Sequence, residues 1–325
     1  MDREEMKEIK EMKAREKRAM GRDEGMVGEV AEAMGRGEGV ADRVAEALVR
    51  AGSAFLPDKK RAYMRAIGEE TNERAKWVMG TILENAEAAE RNRSPLCDDT
   101  GIPHLVLEVG PNASVSGSTL DSIREGIRRG LRKLPGRPMA VRGDDCRRID
   151  QSLGMEEDPG ALEAAPVLIR NAGEDVIRCA GEDAARLHIL MFGGGPAIRG
   201  KTFRVFHQHS VQAVLDEIVS WAGEAAALLG CTPATLAVGI GRSHYEATSM
   251  MLQALVDGTY DAQSEMEREI TRRVNEAGAG PLGLGGRATV LATFLKVGPQ
   301  RASGVRVVCM RPCCCFEPRI AVVEL

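Results

Sequence analysis

The run Ser94-Pro95-Leu96-Cys97-Asp98-Asp99-Thr100-Gly101 sets a thiol directly before two carboxylates and a Thr-Gly turn. A thiolate there can bind a metal, and a carboxylate two residues on can take or give a proton beside it. Two further cysteine positions also lie at the end of an element beside a turn: Cys231, before Thr232-Pro233, and the run Cys313-Cys314-Cys315. Zinc sites usually draw ligands from close pairs such as Cys-x-x-Cys, whereas these positions lie more than eighty residues apart. Three widely spaced thiolates suit an iron–sulfur cubane with three protein-bound irons and one open iron. An open iron is a Lewis acid that can bind a substrate hydroxyl and carboxylate and polarise the departing hydroxyl. Three adjacent cysteines cannot all serve one cluster, so Cys313, Cys314 and Cys315 stand as alternatives for one ligand position. Cys146, Cys179 and Cys309 read as small buried apolar residues.

Positioning these groups requires a helical layer followed by mixed helices and strands, an α/β (α+β) class. Helical spacing (Val40, Val44, Leu48; Tyr63, Ile67; Trp77, Val78, Ile82, Leu83) fills the first quarter and leads into Cys97, with Gly52 and Pro57-Asp58 separating two helices. Strands are expected at 105–109, 167–170, 189–192, 236–240, 288–297, 305–309 and 320–325, and helices at 119–134, 211–229, 245–256 and 260–275. The glycine turn Gly193-Gly194-Gly195 lacks the pattern of a dinucleotide or P-loop fingerprint, but its backbone N–H groups could meet a carboxylate. Residues 1–25 read as a charged N-terminal extension and 26–325 as one domain.

Composition narrows the function classes. The chain has 325 residues, 43% of them hydrophobic but only 3% aromatic, so its core is aliphatic and methionine-rich. A net charge of -4 argues against a general nucleic-acid partner. No apolar run approaches the roughly 20 residues that span a bilayer, and the first residues lack a signal core. A cytoplasmic protein is expected, in which cysteines serve as metal ligands or packing rather than disulfides.

Together, Asn85, Ala88 and the Cys97-Asp98-Asp99-Thr100-Gly101 run, then Val238-Gly239-Ile240-Gly241-Arg242-Ser243-His244-Tyr245-Glu246-Ala247, then Gly283-Leu284-Gly285-Gly286 and a late cysteine near an arginine resemble the alpha subunits of iron–sulfur hydro-lyases. These are the class I fumarases and L(+)-tartrate dehydratases. The resemblance runs from about Met26 to the C-terminus. It implies a [4Fe-4S] cluster held by three cysteines and reversible addition of water to a small dicarboxylate. It also implies a beta subunit that completes the enzyme as a hetero-oligomer, of α2β2 type, with neither nucleic acid nor membrane as partner.

By motif, Cys97 and Cys231 are two ligands. Phe316 and Arg319 favour Cys315 as the third, whereas counting from Ala302-Ser303 favours Cys313, so all three stay open. Asp99 matches the family's active-site aspartate, and Arg137 follows the segment that supplies a carboxylate-binding arginine. Asp98, Gly194 and Gly195 fall at substrate-facing positions, and His244 lies inside a matched motif.

The chain departs from the family's usual pattern in its pocket. Asp98 replaces a glutamine, Phe192 precedes the glycine turn in place of a lysine, and Pro196-Ala197-Ile198 follow it in place of Ser-Glu-Asn. Arg142-Gly143-Asp144-Asp145-Cys146 replaces an asparagine-rich segment, and Gln300 or Arg301 stands for a histidine. These changes favour a second reading from another class, a non-catalytic iron–sulfur sensor or scaffold protein of the same fold.

Overall fold

The helical spacing of the first quarter resolves into α1 (Val40–Ser53), α2 (Pro57–Glu69) and α3 (Glu73–Asn92). Pro57 opens α2 at a position where its missing N–H costs nothing. The Asn72 side chain caps α3 by accepting from the Arg74 and Ala75 amides. Next along the chain come β1 (Ile102–Val109), α4 (Gly117–Lys133), α5 (Asp145–Asp150), β2 (Leu168–Asn171), α6 (Glu174–Ala180), β3 (Ala185–Phe192), α7 (Gly194–Arg199) and β4 (Lys201–Phe206). The remainder is α8 (Val211–Leu229), β5 (Ala234–Gly241), α9 (His244–Asp257), α10 (Glu265–Asn275), β6 (Val290–Val297), β7 (Val305–Cys313) and β8 (Ile320–Glu324). This computed structural model describes residues 39–325 apart from Pro135 and Pro138. The expected charged extension and its boundary lie outside the described residues.

Two mixed four-stranded sheets form, with strand orders β2-β1-β3-β8 and β4-β7-β5-β6. Alternation along each strand sends side chains to two different layers. In β1, Leu105 and Leu107 pack under α1 and α4 with Leu48, Ile127 and Leu131. Val106 between them faces α9 instead, with Met251 and Leu255. In β5, Leu236, Val238 and Ile240 meet α8 and α10, while Ala237 turns to α9. Helix α9 therefore lies between the sheets, and Gly239 lets it lie directly on β5. A Cβ at that glycine would stand 2.1 Å from the Ala247 carbonyl oxygen and 2.2 Å from the Met251 nitrogen.

An ionic chain also ties the sheets together. Arg170 on β2 reaches Glu108 of β1 at 2.7 Å and Asp257 at the end of α9 at 2.6 Å, and Asp257 pairs with Lys296 of β6. His188 of β3 lies 2.6 Å from the other Glu108 oxygen. Burial alone would raise the Glu108 carboxyl, but the His188 and Arg170 contacts outweigh it and hold it below its ordinary value of 4.5. A carboxyl depressed in the folded state lends its full stability above that ordinary value and loses it as pH falls through the depressed value. Arg170→Met is therefore expected to cost about 2 kcal/mol near neutrality, where it leaves the buried Glu108 carboxylate with His188 as its remaining partner. The penalty should shrink below about pH 4. Thermal melts of both proteins at the two pH values check this, and an equal gap at both would contradict it.

Most expected elements are present with small shifts at their ends. The helix expected from Tyr260 begins only at Glu265, because the Ser264 hydroxyl and the Glu267 carboxylate form a reciprocal capping box there. Strand β7 runs on to Cys313 instead of ending at Cys309. Strand β4 and the short helices α5, α6 and α7 were not expected from the sequence. Each has at most seven residues and too few periods to show a pattern.

Candidate functional site

The two sheets meet where β7 leaves the second sheet and β8 enters the first. Register across β5 and β7 sets Thr235 opposite Cys313, which brings the end of β7 beside the start of β5 and Cys231. Register across β1, β3 and β8 sets Ile102 opposite Phe192 and Leu190 opposite Ile320. Residues 97–101, 193–194 and 314–319 thereby converge from three separate stretches of chain.

Each cysteine loop is pinned by its neighbours. Helix α3 ends at Arg93, whose left-handed φ of 51° turns the chain. The Leu96 amide then donates to the Gly52 carbonyl at 2.9 Å, and Asn85 donates to the Leu96 carbonyl at 3.3 Å. Cys231 follows Gly230, with a φ of 75°, at the end of α8. Its carbonyl accepts from the Cys315 amide at 2.8 Å. The Thr232 hydroxyl beside it donates to the Gly280 carbonyl at 2.7 Å.

The three consecutive cysteines divide between surroundings. Cys313 is fully buried in the apolar layer that contains α9, and Cys315 is buried with Phe55, Tyr63 and Met79. Cys314 between them is half-exposed and within electrostatic reach of both Cys97 and Cys231. Burial pushes the thiols of Cys97, Cys231 and Cys313 upward. The interaction between the neighbouring Cys314 and Cys315 thiols instead lowers Cys314 and raises Cys315. Of the other cysteines, Cys309 is buried as expected, but Cys146 and Cys179 are exposed on short helices and are not packing residues.

Asp99 is held as an acceptor. Its Oδ2 accepts from the Gly194 amide at 2.7 Å and its Oδ1 from the Gly101 amide at 3.2 Å. Gly101 has a φ of 83°, and a Cβ there would stand 2.4 Å from an Arg319 nitrogen, so only glycine fits this turn. Arg319 in turn donates to the carbonyls of Asp99 at 2.8 Å and Thr100 at 3.1 Å. Asp98 points the other way, exposed, 3.5 Å from the Arg137 guanidinium and 3.5 Å from the Cys97 sulfur. The Gly194 amide, expected to face a substrate carboxylate, is engaged by Asp99 in this structure, while Gly195 is exposed beside it.

Sequence reasoning missed a group of buried charges, Glu317, Arg311 and Lys59. Glu317, fully buried, takes two guanidinium contacts within 3.1 Å from the Nη2 of Arg311 and a third at 3.3 Å from its Nε. It also accepts from the Gly193 amide at 2.5 Å. Lys59, on α2, is fully buried and donates to the Glu317 carbonyl at 2.6 Å. The Asp58-Lys59-Lys60-Arg61 run carried no signal, because it reads as an ordinary solvated helix start. By contrast, the Gly-Ile-Gly-Arg-Ser-His-Tyr-Glu-Ala segment lies at the far end of β5 from Cys231. The eight residues of that strand span about 25 Å. There Ser243 caps α9 and Glu246 binds the Arg242 amide and guanidinium. This segment packs a helix onto a strand and leaves His244 exposed and away from the cysteines.

Among the described residues no three His, Cys, Asp or Glu side chains are grouped to share one metal ion. A multi-iron cluster is larger than one ion and takes its thiolates from separate sides. The donor set fits such a group, since Cys97, Cys231 and Cys314 are soft sulfur donors on three loops, with Cys314 within electrostatic reach of the other two. Two buried cations, Arg319 and Lys59, are within electrostatic reach of these cysteines, and among the described residues the buried Arg319 Nε has no hydrogen-bond partner. Among the described residues no helix is long and apolar enough to cross a membrane.

Comparison with known proteins adds an independent line. The family model described as fumarate hydratase (Fumerase) matches residues 41–323. A Methanocaldococcus jannaschii protein provisionally named L(+)-tartrate dehydratase subunit alpha is 26% identical over 287 residues, covering 85% of this chain and 94% of its own length. The L(+)-tartrate dehydratase subunit alpha of Escherichia coli (strain K12) is 22% identical over 249 residues, covering 75% of this chain and 77% of its own.

Proposed function

Because the chain belongs to the fumarate hydratase (Fumerase) family and is thereby a hydro-lyase, we propose that it is the alpha subunit of an iron–sulfur hydro-lyase acting on a small dicarboxylate. The observation that carries this reading is the convergence of Cys97, Cys231 and Cys314 beside the fixed carboxylate of Asp99. Those three cysteines would hold a [4Fe-4S] cluster. When bound, the cluster supplies a Lewis-acidic iron that weakens the bond to a departing hydroxyl.

The remaining work falls to side chains. Arg137, exposed at the rim, offers two parallel N–H groups to a substrate carboxylate. Asp98, already 3.5 Å away, steadies that guanidinium before substrate arrives and must yield it afterwards. Gly195 offers its exposed amide to the second carboxylate. Two backbone amides fix Asp99 in place, so a carboxylate oxygen stays at one position to take or return the proton that accompanies loss or gain of water. The exposed rim of Cys231, Asp98 and Arg137 is where a beta subunit would close the site. Both relatives carry alpha-subunit names, which supports such a partner. Cytoplasmic placement agrees with thiol ligands that need a reducing compartment.

The test is anaerobic reconstitution with iron and sulfide, mild oxidation, and electron paramagnetic resonance, followed by assays on fumarate and tartrate with the beta partner. A three-iron signal together with hydration or dehydration is expected. A cluster without turnover on any dicarboxylate would favour the sensor or scaffold reading, and absence of a cluster would overturn both.

A further inference from the structure

Lys59 is buried to 0% exposure, yet among the described residues its ammonium forms no ion pair with a carboxylate and donates to a carbonyl instead. Its ammonium donates to the Glu317 carbonyl at 2.6 Å and sits 4.3 Å from the centre of the Phe55 ring. The nearby Glu317 carboxylate is occupied by Arg311 and by the Gly193 amide. The remaining acidic groups in reach are the sulfurs of Cys313, Cys314 and Cys315. A buried charge without an opposite charge is costly. The mechanism derived above has no use for Lys59.

We propose that Lys59 is a positioning residue that serves as the buried counter-charge of the thiolate-bound cluster, setting its retention and reduction potential through the Cys314–Glu317 turn. This inference rests on the cluster reading above. Its hydrogen bond to the Glu317 carbonyl adds to the turn closed by the Glu317 amide on the Cys314 carbonyl at 2.9 Å. Its positive charge is within electrostatic reach of Cys314, which in turn reaches both Cys97 and Cys231. Net charge and contacts near the sulfurs are what tune such clusters, and outer contacts of this kind are commonly worth about 10- to 100-fold in metal retention.

The test compares the full-length wild type with Lys59→Gln, which keeps an N–H donor and removes the charge, and Lys59→Arg, which keeps the charge. Three quantities are read on anaerobically reconstituted protein. They are the rate of iron loss to a ferrous chelator, the midpoint potential from a resonance-monitored redox titration, and the rise in melting temperature of each loaded protein over its own apoprotein. Lys59→Gln is expected to lose iron about 10- to 100-fold faster, to show a more negative midpoint and to gain less on loading, with Lys59→Arg restoring all three toward wild type.

A folded Lys59→Gln protein with wild-type iron loss, midpoint and loading gain overturns the proposal. If Lys59→Gln does not fold, Lys59→Met supplies the neutral comparison in the same apolar sleeve. Failure of both apoproteins to fold makes Lys59 a scaffold residue and also overturns the proposal. Should the wild type itself take up no iron and sulfide, the cluster reading fails first, and that result is distinct from an unchanged variant.

Discussion

Replacing Cys231 by serine is expected to abolish cluster assembly, with iron and sulfide after anaerobic reconstitution falling by about 100-fold or more. Loss of an outer partner alone costs about 10- to 100-fold, and loss of a ligand costs more. The protein should nevertheless fold. The Cys231 side chain is exposed, and the contacts that hold its loop are its own carbonyl to Cys315 and the Thr232 hydroxyl to Gly280, none of which involve the sulfur. Circular dichroism and melting of the apoprotein should therefore match wild type.

The same measurement separates the consecutive cysteines. Cys314→Ser should behave like Cys231→Ser. Cys315→Ser and Cys313→Ser should keep iron and lower stability, since their thiols are buried in apolar layers. Iron retained by Cys314→Ser and lost by Cys315→Ser would transfer the ligand role to Cys315.

Replacing Asp99 by asparagine should leave cluster content intact and lower turnover in the complex with the beta partner by about 10²- to 10⁴-fold, the usual contribution of a positioned acid–base group. Asparagine is close in shape and can still accept from Gly194 or Gly101, so the turn should survive. What is lost is the second acceptor oxygen and the ability to carry a proton. Iron content, the three-iron signal and the melting temperature then serve as controls on the same sample. Turnover equal to wild type would remove Asp99 from the chemistry and move the proton-transfer role to the partner.

The long elements were legible because their periodicity repeats. Val211–Leu229 has five turns of apolar spacing and forms a helix with those bounds. Lys201–Phe206 has only three alternations and escaped notice. Capping chemistry at Ser264 outweighed the apolar spacing that suggested an earlier helix start. Motif strength was also an uneven guide. Cys97-Asp98-Asp99-Thr100-Gly101 meets the Gly194 amide and Arg319 at the candidate site, whereas the equally distinctive Gly239–Ala247 segment packs α9 onto β5 at the other end of the strand.

By itself the sequence determined that thiols at Cys97 and Cys231 sit at element ends next to turns, that the Asp99 carboxylate follows Cys97 by two residues, and that strands follow a helical layer. These are local matters of residue type and period. Only the tertiary structure separates the surroundings of three adjacent cysteines, burying Cys313 and Cys315 and leaving Cys314 half-buried, because in such a segment that depends on where the apolar layers lie on either side. Only it decided that Lys59 is buried, since a lysine near a helix start is ordinary until a second loop, here Cys314–Glu317, closes over it. Long-range strand register sets both outcomes, and no local pattern in the chain encodes it.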